Sequence, residues 1–312
     1  MNGSEWYLKR LIETGSFRPI SGYKETQLYH KSHYPNQEYK GLAKLFTAEN
    51  WDVDAWMTLC KKVGVTYVIL TAKHHDGYCL WPSKTANQWN SVEVGPKLDL
   101  VSTFKAAAKR HGLQFGLYYS WSEFEVGCTK EYCDNVVRPQ MTELMAHQPD
   151  IWWFDGHWSM NTKYSQTMMS NICDQIHKMT PNALINDRIG SKVEFKSPRY
   201  LGRSNYRVYD DRALPAKRPP CPWEHINTIG MSWGRNRSQT KEHYKTGQGL
   251  FDLYNQVKLL GGRFLLNLGP DCDGQLDPFE VESLLELGKL IGVEAELDPD
   301  EPEVTTTTRK SQ

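Results

Sequence analysis

The chain has no net charge: 37 lysines and arginines balance 37 aspartates and glutamates, and the sequence pI is about 7.1. Nucleic acid and anionic membrane surfaces recruit basic proteins, so neither is expected as the main partner. No apolar run approaches the roughly 18 residues of a membrane span. The N-terminal stretch MNGSEWYLKRLIETG lacks the apolar core of a secretory signal peptide, which suggests a cytosolic or a processed chain. Cysteine supplies no framework. There are seven, an odd number at irregular spacing. Cys128 and Cys133 in CTKEYC lie close, but no CxxC pair occurs, which argues against a zinc ribbon. Also missing are any HxH pair and any glycine-rich phosphate loop after the first strand signal.

What is present is a chain of 312 residues, 39% hydrophobic and 12% aromatic, with eleven tryptophans, several beside polar clusters. Aromatic faces near carboxylates suit ligands with C–H-rich faces, sugars above all, although tryptophan is also an ordinary large core residue. Short apolar runs that stop at polar residues alternate with helical patterns. The strand signals are TYVILTAK (66–73), LQFGLYYS (113–120), DIWWFDG (150–156), ALINDR (183–188), WEHINTIG (223–230) and FLLNLG (264–269). Helical periodicity covers 52–64, about 98–111, 132–147 and 162–180, then GLFDLYNQVKLLGG and PFEVESLLELGKLIG (278–292). Such alternation predicts parallel strands joined by crossover helices. Strands that each end in His, Asp, Asn or Arg favour a (β/α) barrel, whose chemistry sits at the C-terminal strand ends, over an open doubly wound sheet. The Arg-, Pro- and Tyr-rich stretch 190–222 reads as a long ordered loop over that face. Residues 1–292 form the expected domain, and the acidic, polar 293–312 a disordered tail.

The chemistry gathers at the strand ends. VILTAKHHDG presents His74, His75 and Asp76 side by side, which would suit a metal, an acid/base site or a sugar clamp. A metal cage is the weakest of the three, because adjacent residues on a strand end point to opposite sides. A pair of carboxylates fits better, since glycoside hydrolysis needs one acid to protonate the leaving oxygen and a second carboxylate as nucleophile or base. Asp155 ends the run IWWF and is followed by Gly156, which permits close approach. Glu224, in PPCPWEHI, sits in an aromatic context where burial would raise its pKa toward that of an acid. The alternative for either is a helix cap or an arginine partner.

TAKHHDGYCLWPS, WNSVEVGPKLDLV, FGLYYS, DIWWFDG, INDRIG, PWEHINTIGMSWG and LLNLGPDCDG follow one another along the chain. In that order they resemble the successive motifs of the family 29 glycoside hydrolases, the α-L-fucosidases, from about residue 3 to about 290. The resemblance implies a retaining exo-glycosidase on a (β/α)8-like TIM barrel, with no metal and no cofactor. It implies Asp155 as nucleophile and Glu224 as acid/base, with Glu5 as an assistant. His74 and His75 would bind fucose hydroxyls, and Tyr118, Trp153 and Arg188 would line the sugar, as would Glu5 and Trp6 of GSEWY. The implied partner is a fucosylated oligosaccharide or glycoconjugate, and relatives are mostly lysosomal or secreted. Two features of the family pattern have no match within the 312 residues. One is a first strand, upstream of Glu5, that carries a histidine and a tryptophan; the other is a C-terminal β-sandwich. The expectation is therefore an irregular, N-terminally truncated barrel whose open edge favours self-association into a homo-oligomer. Two functional classes remain open from sequence, an active α-L-fucosidase and a non-catalytic fucose-binding homologue.

Overall fold

The structure is a computed structural model that describes residues 5–15, 19–189 and 203–293. Most of the expected tail, 294–312, and residues 190–202 of the expected loop lie outside the described residues. In chain order the elements are α1 (Tyr7–Leu11), α2 (Tyr23–His33), α3 (Val53–Lys62), β1 (Tyr67–Lys73), α4 (Leu100–Arg110) and β2 (Gln114–Ser120). Then come α5 (Lys130–Tyr132), which runs through a π turn into α6 (Arg138–Met145), β3 (Ile151–Asp155), α7 (Lys163–Met179) and β4 (Leu184–Ile185). The last are β5 (Arg207–Val208), β6 (Trp223–Thr228), α8 (Gly247–Leu259), β7 (Arg263–Asn267) and α9 (Pro278–Ile291).

All the strand pairs between these elements are parallel, and the strands stand side by side in chain order. β1 to β4 form one sheet and β5 to β7 another, and a parallel bridge between Asn186 and Tyr206 continues the first into the second. This is the strand order of a (β/α) barrel of the TIM type, in an irregular form. Among the described residues β1 and β7 are each paired on one side, and a cavity of about 570 Å³ separates them, lined by Ile69, Thr71, Leu266, Trp56 and Leu284 among others.

β3 shows how the sequence dictates this packing. All five of its residues are buried, because a barrel strand is covered on both faces. Trp152 and Phe154 join the outer cluster with Trp121, Met141 and Met168, under helices α6 and α7. The alternate residue Trp153 joins the inner cluster with Tyr206, Val208, Ile69, Tyr118 and Ile226. Each large apolar side chain so buried contributes about 1.5–3 kcal/mol. The helices start at side-chain caps: Asp52, Asp99, Thr162, Thr246 and Asp277 each accept a backbone N–H of the first turn. Such caps are worth about 1 kcal/mol each.

The six strands expected from sequence are present. β5 was not expected: its two residues lie within the stretch read as loop, too short to show periodicity. α1 and α2, which precede the first expected helix, are likewise additions.

Candidate active site

Asp155 is the last residue of β3, and Gly156 follows in a left-handed conformation with φ 73°. A Cβ on that glycine would lie 2.6 Å from the Ser122 hydroxyl and 2.8 Å from that of Ser120, so the turn that presents Asp155 has no room for another residue. The carboxylate is held from two sides. Arg188 Nη1 donates to Oδ1 at 2.8 Å, and the Tyr118 hydroxyl donates to Oδ2 at 2.9 Å. Burial alone would raise the pKa of Asp155. The Arg188 guanidinium and the hydrogen bonds from Arg188 and Tyr118 outweigh it, so the carboxyl is held below its ordinary value and stays ionised.

The same guanidinium reaches a second carboxylate, since Arg188 Nη2 donates to Asp211 Oδ1. One planar fork thus spans both acids and holds their carboxyl groups near one another. Asp211 is the open one of the pair: its side chain is 45% exposed, against 11% for Asp155.

His74 and His75 follow β1 directly and lie beside this pair. The Ser120 hydroxyl donates to the Ser122 carbonyl at 2.6 Å, so toward His75 Nδ1, 2.5 Å away, it acts as acceptor. Neutral His75 therefore carries its proton on Nδ1 and offers Nε2 as an acceptor, 3.6 Å from Asp155 Oδ2. Burial and then His74 push its pKa down to about 3, so it is neutral across the physiological range. The half-buried His74 ring lies parallel to that of Tyr118, with centroids 5.7 Å apart. Its pKa is also lowered, chiefly by burial. Asp76 turns outward and accepts from the Tyr39 hydroxyl at 2.8 Å, so it belongs to the scaffold. So does Lys73, which is fully buried and donates to Glu123 at 2.9 Å and to the hydroxyls of Tyr119 and Tyr132. The Glu123 loop it anchors supports His75, through a bond from Phe124 N to the His75 carbonyl at 2.7 Å.

Trp6 lies with its ring centroid 6.0 Å from His75 and 5.1 Å from Phe124. Glu5 accepts from the backbone of Trp233 and Gly234 at 3.4 and 3.2 Å, tying the N-terminal segment to the loop after β6. Trp158, 45% exposed, meets His75 edge-on at 5.4 Å and, with Trp6 and Phe124, lines a cavity of about 460 Å³ next to that histidine. Trp153 is 2% exposed and forms a floor. Its indole stacks on Tyr118 at 5.4 Å, and the Arg188 guanidinium lies 4.7 Å above its face.

Glu224, the acid/base that the resemblance implies, has other partners than the arginine-bridged pair. Glu224 is the second residue of β6, four residues before the end of the strand at Thr228. At about 3.3 Å per residue that is roughly 13 Å along β6 from its C-terminal end. It is 3% exposed, and both of its oxygens are occupied: Trp153 Nε1 donates to one at 2.8 Å and the Tyr67 hydroxyl to the other at 2.7 Å. Burial raises its pKa to about 7, as the sequence context suggested, but the burial that does so also removes the group from the mouth. Sequence reading missed Asp211 because it follows β5, which is hidden in an aperiodic stretch. The rule that a strand ends in polar residues would have found it in VYDD once that strand was recognised.

Among the described residues, no three or more His, Cys, Asp and Glu side chains are grouped to hold a metal ion, and no helix is long and apolar enough to cross a membrane.

The family described as Alpha-L-fucosidase matches residues 1–296. The chain is 31% identical over 310 residues to the alpha-L-fucosidase of Dictyostelium discoideum, covering 94% of this chain and 64% of that protein. Against the human tissue alpha-L-fucosidase it is 29% identical over 310 residues, covering 94% and 63%. The chain thus spans less than two thirds of the length of these curated relatives. It is also similar to the crystal structure of Thermotoga maritima alpha-fucosidase in complex with fucose, with a TM-score of 0.78 and 32% identity over 93% of this chain and 66% of that one. Alpha-L-fucosidase AlfC from Lactobacillus casei, in complex with its alpha-L-fucose product, shares the fold at a TM-score of 0.70 and 24% identity, over 91% and 96% of the two chains.

Proposed function

The chain belongs to the alpha-L-fucosidase family, and from that premise we propose that it is a retaining exo-glycosidase that releases terminal α-L-fucose from glycans. The observation that carries this reading is the pair of carboxylates, Asp155 and Asp211, bridged by one arginine at the C-terminal ends of the strands. Two carboxyls held together by one side chain suit a retaining enzyme, which needs them about 5–5.5 Å apart, better than an inverting one, which needs a wider gap for water.

Asp155 is the nucleophile. Its ionised carboxylate attacks the anomeric carbon and displaces the aglycone, giving a covalent fucosyl-enzyme. Asp211, the more exposed acid, protonates the departing glycosidic oxygen. It then takes a proton from the water that cleaves the ester to Asp155, and both carboxyls return to their starting states. Glu224 cannot exchange a proton with that oxygen, because it lies well below the mouth with Trp153 between it and the Arg188–Asp155 pair. Acid/base catalysis needs contact at about 3 Å, or through one water.

Substrate binding follows from the tautomers and faces. His75 Nε2 accepts a sugar hydroxyl, His74 contacts another, and Trp6 offers an apolar face on the same side. The substrate class is fucosylated oligosaccharide or glycoconjugate, with the aglycone toward solvent.

The test is hydrolysis of 4-nitrophenyl α-L-fucoside by the purified 312-residue chain, with the first-formed sugar observed by proton NMR. The expected product is α-L-fucose, the anomer of the substrate. Release of the β anomer would refute the retaining mechanism. Fucose binding without turnover would replace the enzyme reading by a binding one.

A further inference from the structure

Glu224 is the buried acid that the reaction above does not use. It ties three strands across the barrel interior: Tyr67 is the first residue of β1, Trp153 lies on β3, and Glu224 itself belongs to β6. Its carboxyl is the partner of the Trp153 indole N–H, and an indole N–H buried without a partner costs about 1–3 kcal/mol. Trp153 in turn touches both groups that hold Asp155. Its ring stacks on Tyr118, its register partner on β2, and its face carries Arg188. Tyr118 and Arg188 each donate one bond to Asp155, which stands two residues beyond Trp153 on the same side of β3.

We propose that Glu224 is a positioning residue which, by fixing the edge of Trp153 from below, sets the two donors that hold the Asp155 carboxylate. The role rests on Asp155 being the nucleophile, as read above. A carboxyl in this place fixes the plane of the indole, since the N–H has one direction in which to be satisfied. Release of that edge lets the ring rotate, and Tyr118 and Arg188 lose the surface against which they are packed. The groups facing Glu224 are the hydroxyl of Tyr67, the indole of Trp153, the buried phenol of Tyr206 and, at longer range, Arg188. None of them brings an opposite charge into contact with it, so burial outweighs the two donated hydrogen bonds and Arg188 and raises its pKa to about 7.

The test pairs kinetics with a readout that does not depend on turnover. Glu224→Ala is expected to lower kcat on the order of 10- to 100-fold, by the same factor for 4-nitrophenyl and methyl α-L-fucosides, because positioning of the nucleophile serves both. Glu224→Gln keeps an acceptor for the indole and is expected to rescue most of that loss. Trp153→Phe retains the ring and removes the N–H; it should cost a similar factor, and Glu224→Ala should add little on top of it. A Glu224→Gln loss far larger on the methyl glycoside than on the aryl one would overturn the proposal in favour of an acid/base role. Additive losses in the double variant would also overturn it. If the wild-type chain hydrolyses neither fucoside, the proposed function fails while this inference can still be decided. In the NMR spectrum the Trp153 indole N–H should exchange slowly in wild type and fast in Glu224→Ala, with a shift in the Asp155 carboxyl resonance. An unchanged Asp155 resonance would refute the positioning role, and Glu224→Gln serves the same comparison should the alanine variant not fold.

Discussion

Asp155 and Glu224 are both carboxylates on barrel strands, both lie mostly out of water, and they meet opposite fates. At the mouth, Asp155 is surrounded by a guanidinium, a phenol and a neutral histidine, and pairing with the guanidinium outweighs burial. On the floor, Glu224 meets an indole N–H and a phenol, neither of them charged, and burial wins. The difference lies in what each is buried with. Burial beside a cation produces a nucleophile that is ionised at every working pH, whereas burial among neutral donors produces an acid poised near neutrality. An elevated pKa is therefore a poor guide to the catalytic acid unless the group can also reach the leaving oxygen.

This contrast can be broken most directly at Asp155. Asp155→Ala should abolish release of 4-nitrophenol from its α-L-fucoside, a loss of roughly four or more orders of magnitude, and azide should restore some turnover to Asp155→Gly. Wild-type rates in either variant would end the nucleophile assignment. Next in size is Asp211→Asn, expected to slow methyl α-L-fucoside by about 10²–10⁴-fold while the activated aryl glycoside loses far less, since 4-nitrophenol departs without a proton. Equal losses on the two substrates would return the acid role to another group.

Stability sharpens the same lesson. Lys73, like Asp155, is a buried charge with a charged partner, Glu123, at 2.9 Å. Lys73→Met leaves that carboxylate unpaired and should cost about 3–5 kcal/mol in urea unfolding, and Lys73→Met/Glu123→Leu should regain much of it. An unchanged midpoint in the single variant would contradict the pairing argument.

The smallest effect is a pH dependence with a definite sign. Glu224 titrates at about 7 folded and near the ordinary glutamate value of 4.5 unfolded, so between these values the folded state binds more protons. Stability should therefore fall as pH rises from about 4.5 to about 7, by on the order of 3 kcal/mol, and Glu224→Gln should flatten that window. Asp155 has the reverse sign. Its folded pKa lies below 3.8, so its contribution is present above that value and is lost as pH falls through the folded pKa. Thermal melts across pH separate the two, and a melt that rises between pH 5 and 7 and flattens with Glu224→Gln would refute the Glu224 assignment.

Much of this was legible in the residues. The runs YVILTAK and IWWFD carry enough β-branched and aromatic residues to declare strands, and their polar ends mark the functional face. His74, His75, Asp155 and Arg188 were visible because each ends or shortly follows a recognisable strand. Asp211 was not, since β5 is two residues long and its pairing is decided by the neighbouring strands β4 and β6. Glu224 was found at the start of its strand, but its partners were not. The residues around it in PPCPWEHI declare burial, and nothing local says that the Trp153 indole and the Tyr67 hydroxyl fill its two oxygens.

By itself the sequence determined the parallel α/β alternation, the faces of the long strands and the set of side chains able to do the chemistry. The reason is that period, branching and capping act within a few residues. The tertiary structure alone decided which acids share Arg188, which end of the barrel each occupies and which tautomer His75 adopts. Those outcomes depend on register and on partners 23 to 71 residues away, which no local pattern reports.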